Sequence, residues 1–245
     1  MPLPLVDTFS SPYQKWTTRR ATSEEAEEIY KRTGNIVGAM NVNDQLIAEI
    51  KNPFEAAKYI ANEGADNGLE NFIDRALDGS GNFSSWRKAM PPQTPAILSD
   101  YQRNYPNCDF TEVSKKIDEI GSTLSAGQYL FHGGVWPNAQ QFTTNRPLSA
   151  SFSPQVALRN AEHKGKAYEA GKIDLFVLRV ATSRSKVFAY RRKGTSFGHE
   201  KEILFAQGAV LTLRDRCLIK SNHCLRTMNG PAKQVSINVL SIDVS

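Results

Sequence analysis

The sequence predicts an α+β protein, a helical N-terminal lobe packed on a core of mixed or antiparallel β-sandwich type. Three observations predict it. Apolar residues recur at helical spacing through much of the first half of the chain. Short runs rich in β-branched and aromatic residues, bounded by Gly, Pro, Asn and Ser, fill the second half. The change falls at "GSTLSAG" (121–127), and helices followed by strands read as an α+β arrangement. Residues 1–21 are expected as a flexible arm, 22–125 as the helical lobe and 126–245 as the β-rich core, the whole forming one cooperative unit and a monomer.

Taken in order, the first twenty or so residues are rich in Pro, Ser and Thr. In "TSEEAEEIYKR", Thr22 or Ser23 caps a helix with Glu24, Glu25 and Glu27 early, Lys31 and Arg32 late, and Gly34 as terminator. That charge order suits the helix dipole. "NPFEAAKYIANEG" offers Asn52 as cap, Pro53 in the first turn, an apolar stripe through Phe54, Ala57, Tyr59 and Ile60, and Gly64 as stop. "NGLENFIDRALDG" repeats the scheme with Leu69, Phe72, Ile73 and Leu77. Residues 79–95 read as a Gly-, Ser- and Pro-containing connection, before two short helices in "ILSDYQRNY" and "EVSKKIDEIG". The strand-like runs are "QYLFHGGVW", "QFTTNRPLSASFS", "KIDLFVLRVA", "KVFAY", "EKEILFAQGAVLTL", "RCLIKS" and "QVSINVLSIDV".

Composition narrows the function. The chain has 245 residues, 40% hydrophobic and 22% charged, enough to bury a core. No apolar run approaches the roughly 18 residues of a membrane helix, and the start lacks the pattern of a cleaved signal peptide. Cys108, Cys217 and Cys224 lack CxxC spacing, so neither a disulfide framework nor a metal site is expected. The formal charge of +5 permits attraction to phosphates or acidic proteins. The densest basic cluster, Arg191-Arg192-Lys193, lacks the interleaved aromatics of a nucleic-acid platform, and nucleic acid is not expected as a partner. No G-x-S-x-G elbow, G-x-G-x-x-G fingerprint or Walker motif is present.

Three stretches carry candidate chemistry. "YLFHGG" (129–134) ends a strand in His132, with Gly133 and Gly134 leaving room for close backbone approach. "PLSASFSPQVALRNA" (147–161) puts Ser149 and Ser151 on one strand face before a helix start at Pro154. In "GHEKEILFAQ" (198–207), Glu200 and Glu202 precede a run apolar on both faces, the mark of a covered strand. On a strand the two carboxylates share a face roughly 7 Å apart, an arrangement that needs a chemical reason. Each stretch also has an ordinary reading: a surface histidine at a turn, serines on a solvated face with Ser153 as cap, and solubility carboxylates on a sheet edge.

Together "LFHGG", "SASFSPQVA" and "HEKEILF" resemble the three signature strands of mono-ADP-ribosyltransferases of the arginine-serine-glutamate type, and within them the effectors that plant-pathogenic bacteria inject by type III secretion. The resemblance implies an ADP-ribosyltransferase core, NAD as substrate, a host protein as target, and delivery into the host cell without a signal peptide. It implies that Glu202 hydrogen-bonds the nicotinamide ribose and stabilises the cation formed there. Glu200 would orient or deprotonate an acceptor, an arginine by the Glu-x-Glu pattern, and Ser149 would position Glu202. His132, Gly133, Ser149 and Ser151 would line the NAD site, and Arg191, Arg192 and Phe197 in the 190–198 loop would meet the target. His132 stands where the family has arginine, and replaces a fixed charged fork with a shorter, mostly neutral ring. Two other readings stay open: a catalytically degraded member of the fold acting as a protein-binding module, and a basic α+β adaptor. The enzymatic reading requires the acidic pair, the serines and His132 to converge on one crevice wide enough for a dinucleotide.

Overall fold

The computed structural model describes residues 1–193, 195–226 and 230–245; Gly194 of the basic loop lies outside them. The chain is α+β and divides into two compact units, Phe9–Lys51 and a larger one of Met1–Thr8 with Asn52–Ser245. In the smaller unit, β1 (Tyr13–Arg20) pairs antiparallel with β2 (Asn41–Ile50), with α1 (Ser23–Thr33) and α2 (Ile36–Ala39) between them. Thr22 caps α1 in a capping box with Glu25, and Gly34 ends it in the left-handed region at φ 66°.

The larger unit contains α3 (Pro53–Glu63), α4 (Asn67–Gly79), α5 (Gly81–Ala89), α6 (Ala96–Asn104) and α7 (Phe110–Ile120). After them come β3 (Ser122–Thr123), β4 (Tyr129–Gly134), β5 (Gln141–Thr143), β6 (Leu148–Ser151), α8 (Pro154–Glu162), α9 (Lys166–Ala170), β7 (Lys172–Val180), β8 (Lys186–Ala189), β9 (Glu202–Phe205), β10 (Val210–Leu225) and β11 (Lys233–Val244). The expected sandwich resolves as one nine-stranded mixed sheet in the order β3-β8-β9-β6-β4-β7-β11-β10-β5. Among the described strands of this sheet, β7 and β11 are the one parallel pair. Its halves are almost separate, because β4 and β6 share a single pair, Phe131 with Ser151.

Two sequence expectations are corrected. The arm at 1–21 is folded. Leu3 bridges Leu124, Val6 exchanges hydrogen bonds with the Gln128 side chain, and the Trp86 indole donates to the Pro4 carbonyl at 2.7 Å. Leu3 and Val6 are thus buried, and most of the remaining arm residues enter β1. The two compact units meet at 8/9 and 51/52, positions other than the expected boundaries at 21 and 125. The connection at 79–95 contains α5, capped by Ser80 and buried through Phe83 and Trp86. Those rings meet Phe152, just beyond β6, with centroids 5.6 and 5.5 Å away. This aromatic cluster fixes the helices to the end of the serine strand.

α8 crosses β4 so closely that a Cβ on Gly133 would lie 1.7 Å from the Ala157 carbonyl oxygen. Gly133 is required by this contact. Gly133→Ala is expected to lower stability by at least about 2 kcal/mol through forced separation of α8 and β4. Urea unfolding measures it, and an unchanged midpoint contradicts the packing.

Candidate active site

The site lies where the sheet nearly divides. β6 pairs with β9 from Leu148–Phe205 to Ser151–Glu202, so the serine and glutamate strands are neighbours. On the other side of β6 the ladder to β4 stops after one pair, which leaves the Ser149 carbonyl without a backbone partner there. His132 supplies one: its Nδ1 lies 2.6 Å from that oxygen and donates to it as the Nδ1–H tautomer. The ring also packs on Phe176 at 5.2 Å. Burial pushes the His132 pKa down to about 4, against the carbonyl contact, and the charges of Lys166 and Arg146 push it the same way as burial. The imidazole is neutral near pH 7 and joins the two halves of the sheet.

Glu202 opens β9 and is only 6% exposed. Gln102 on α6 donates to its Oε2 at 2.6 Å. Burial raises its pKa to about 7, opposed by hydrogen bonds from Ser149 and Gln102 and assisted by the charge of Glu200. Tyr101 and Tyr190, whose hydroxyls donate to the carbonyls of Pro147 and Leu98, complete the wall. Their pKa values rise through burial first and the Glu202 charge second. The result is a carboxyl group that exchanges its proton near neutrality.

Glu200 does not share a strand face with Glu202. It ends a single 3₁₀ turn, Gly198–Glu200, and Lys201 follows in the left-handed region at φ 51°. The strand begins only at Glu202, so alternation cannot be counted back across Lys201. The two carboxylates are still close enough to interact, and burial raises the Glu200 pKa as well. Ser151 holds this turn: its Oγ donates to the Glu200 carbonyl at 2.6 Å and accepts from the Ser153 amide at 3.0 Å. Ser151 is buried and spent on these bonds.

Arg192 and Lys201 are held by an acidic stripe on α4. Glu70, Asp74 and Asp78 recur every four residues and so line one helix face. The Lys201 ammonium, its side chain 1% exposed, pairs with Glu70 and lies 3.4 Å from Asp74. Arg192 pairs with Asp74 and, at 2.7 Å, with Asp78. Expected to meet a target, Arg192 instead has a side chain only 10% exposed. Arg191 is exposed and Phe197 half-buried. Gly198 approaches the Arg192 carbonyl so closely that a Cβ would lie 1.8 Å away.

The structure thus brings Glu202, Ser149 and His132 together, with Glu200 beside them on a turn. Gly133 and Ser151 are occupied by packing and turn geometry. Sequence reasoning missed Gln102, Tyr101, Tyr190 and Lys201. Only Lys201 had a readable signal, a charge opposite the acidic stripe. The two described cavities, of about 280 Å³ beside Glu162, Tyr168 and His223 and about 360 Å³ beside Asp118, Arg184 and Gln207, do not include Glu202. The crevice that the enzymatic reading requires is not among them, and Gln102 occupies one oxygen of that carboxylate. Among the described residues no group of three or more His, Cys, Asp or Glu side chains gathers to hold a metal ion, and no helix is long and apolar enough to cross a membrane.

No protein-family model matches the chain, and no curated protein matches it. Among solved structures, it is similar to the enzymatic component C2-I of the Clostridium botulinum C2 toxin at 12% identity and TM-score 0.40, covering 69% of this chain and 48% of that one. The chain thus spans about half the length of C2-I. It is also similar to Plx2a, an ADP-ribosyltransferase toxin from Paenibacillus larvae (12% identity, TM-score 0.40, 66% of this chain and 90% of that one). A third likeness is to Vis, an ADP-ribosyltransferase from Vibrio splendidus (12% identity, TM-score 0.33, 93% and 88%). At this distance the likeness assigns no function, and the functional reading rests on this chain's own side chains.

The two central groups impose opposite pH dependences on stability. Glu202, raised from 4.5 to about 7, contributes stability that is complete below about pH 4.5 and lost as pH rises toward 7. His132, lowered from 6.5 to about 4, contributes stability that is complete above about pH 6.5 and lost as pH falls toward 4. Each displacement corresponds to about 3 kcal/mol, and the two offset one another in the shared window. Glu202→Gln should leave stability rising with pH through that window, and His132→Asn should leave it falling. Urea unfolding from pH 4 to 8 reads both; parallel curves for wild type and Glu202→Gln contradict the burial of that charge.

Lys201→Met leaves Glu70 without its ammonium and should cost about 2–4 kcal/mol, whereas Lys201→Arg should restore part of it. Equal losses in the two variants would show that the charge is not what matters.

Proposed function

We propose that the chain is a mono-ADP-ribosyltransferase that moves ADP-ribose from NAD to a side chain of a target protein, an arginine by the Glu-x-Glu pattern. The observation that carries the reading is Glu202: a carboxyl group buried at the strand split, held by Gln102 and paired with Ser149, and titrating near 7. A structural carboxylate is paired with a cation or left in water. This one has hydrogen-bond donors and no cation among the described residues, and its environment suits a group that meets positive charge only during a reaction.

NAD supplies the electrophile. The bond between nicotinamide and ribose C1′ breaks, nicotinamide leaves with the electron pair, and positive charge develops on the ribose. Glu202, ionised above about pH 7, stabilises that charge. Ser149 orients it, and Glu200 on its turn takes the proton released when an acceptor nitrogen bonds to C1′. The Gln102 amide holds one Glu202 oxygen and yields it to the ribose. Arg191 and Phe197 stay available to a target, while Arg192 holds their loop. The bacterial effector role and type III delivery that the resemblance implies belong to the same proposal.

Labelled NAD with an arginine-containing acceptor tests the reading. Wild type should transfer label with a rate that rises as pH passes about 7, and Glu202→Gln should lose at least about 100-fold. Equal transfer by both proteins, or none by either, would sink it.

A further inference from the structure

Glu70 stands in the first turn of α4, and both of its carboxylate oxygens are taken by segments distant along the chain. Ser153 Oγ donates to Oε2 at 2.6 Å, and the Lys201 ammonium pairs with Oε1. Ser153 follows the serine strand and caps α8, and Lys201 separates Glu200 from Glu202. Both partners are buried. The transfer steps make no use of the Glu70 carboxylate.

These contacts close a ring. The Ser153 amide donates to Ser151 Oγ at 3.0 Å, and that hydroxyl donates to the Glu200 carbonyl at 2.6 Å. On the other side, Lys201 Nζ also donates to the His199 carbonyl at 3.0 Å. Glu70 thus holds, by two routes, the carbonyls of two successive residues in the turn that carries Glu200. Glu202 has separate supports in the β6–β9 ladder, Gln102 and Ser149. Opening the ring at Glu70 therefore releases the turn and leaves the strand in place.

We propose that Glu70 is a positioning residue for Glu200: it fixes the Gly198–Lys201 turn where Glu200 meets the acceptor, and so decides whether the ribose is taken by an acceptor nitrogen or by water. The inference rests on the transferase reading for its reaction. With the turn loose, Glu202 still assists departure of nicotinamide. Water then bonds to C1′, and the products are nicotinamide, ADP-ribose and a proton lost to solvent. With the turn fixed, the acceptor nitrogen bonds to C1′ and Glu200 takes its proton.

Two measurements test it together: titration of carbon-13-labelled glutamate carboxyls, and labelled NAD offered with an arginine-containing acceptor. The proteins are wild type, Glu70→Gln, Ser153→Ala, and Asn52→Ala as a control that removes the cap of α3 without touching the ring. Glu200→Gln identifies the Glu200 resonance. Burial holds the Glu200 midpoint above the ordinary carboxylate value. Glu70→Gln and Ser153→Ala should let it fall toward that value, with Glu202 staying near 7. The ratio of ADP-ribose transferred to ADP-ribose released should fall at least about tenfold in both variants. Asn52→Ala should change neither. Ser153→Ala leaves no buried charge unpaired and carries the test should Glu70→Gln fail to fold. An unchanged Glu200 midpoint in the ring variants, an equal displacement of Glu202, the same changes in Asn52→Ala, or an unaltered ratio would overturn the positioning role. Wild type that neither transfers nor hydrolyses removes the transferase reading, and a Glu200 midpoint that follows Glu70 would then still sustain its hold on the turn.

Discussion

The hydrogen bond from His132 to the Ser149 carbonyl is the constraint on which the rest of the structure depends. It stands where two strands of one sheet have almost parted, after a single backbone pair. A closed ladder would fill the gap with main-chain bonds, and full separation would leave a part-buried carbonyl without its partner. The imidazole spans the intermediate spacing and keeps the strands apart without exposing either edge. Glu202 can then sit beside the opening without standing in water. Its elevated pKa results from that placement: burial disfavours its charge more than Ser149 and Gln102 restore it.

Around this point the helices act as walls. α6 contributes Tyr101 and Gln102 to the carboxylate and ends in Tyr105 under two cations. α4 contributes a row of carboxylates that hold Arg192 and Lys201. α8 lies against Gly133 and closes one side of β4. The turn carrying Glu200 is therefore fixed from below by Ser151 and from the side by Lys201, although it belongs to no strand. Functional carboxylates on short turns need such support, since a misplacement of about an ångström costs a large part of their effect.

Local chemistry was legible in the sequence where one residue decides the outcome. Thr22, Asn52 and Gly34 start or stop helices as their side chains dictate. β4, β6 and β9 appear where alternation and composition placed them. What could not be read depended on partners distant along the chain. β1 and β2 are polar ribbons whose pairing lies in register rather than composition. α5 carries Gly and Ser that read as a connection, until Phe83 and Trp86 find Phe152. Alternation predicted Glu200 and Glu202 on one face, and Lys201 breaks it with a left-handed backbone while its ammonium pairs with α4. Gln102 carries no motif; only the fold reveals that it faces a carboxylate 100 residues away.

The ionisation of Glu202 can be observed directly. In protein labelled with carbon-13 at glutamate side-chain carboxyls, Glu202→Gln identifies the Glu202 resonance, and its shift is followed from pH 3 to pH 9. A buried Glu202 held by Gln102 and Ser149 should give a midpoint near 7. A midpoint near the ordinary 4.5 would mean a solvated carboxylate with no special place at the split, and would contradict it.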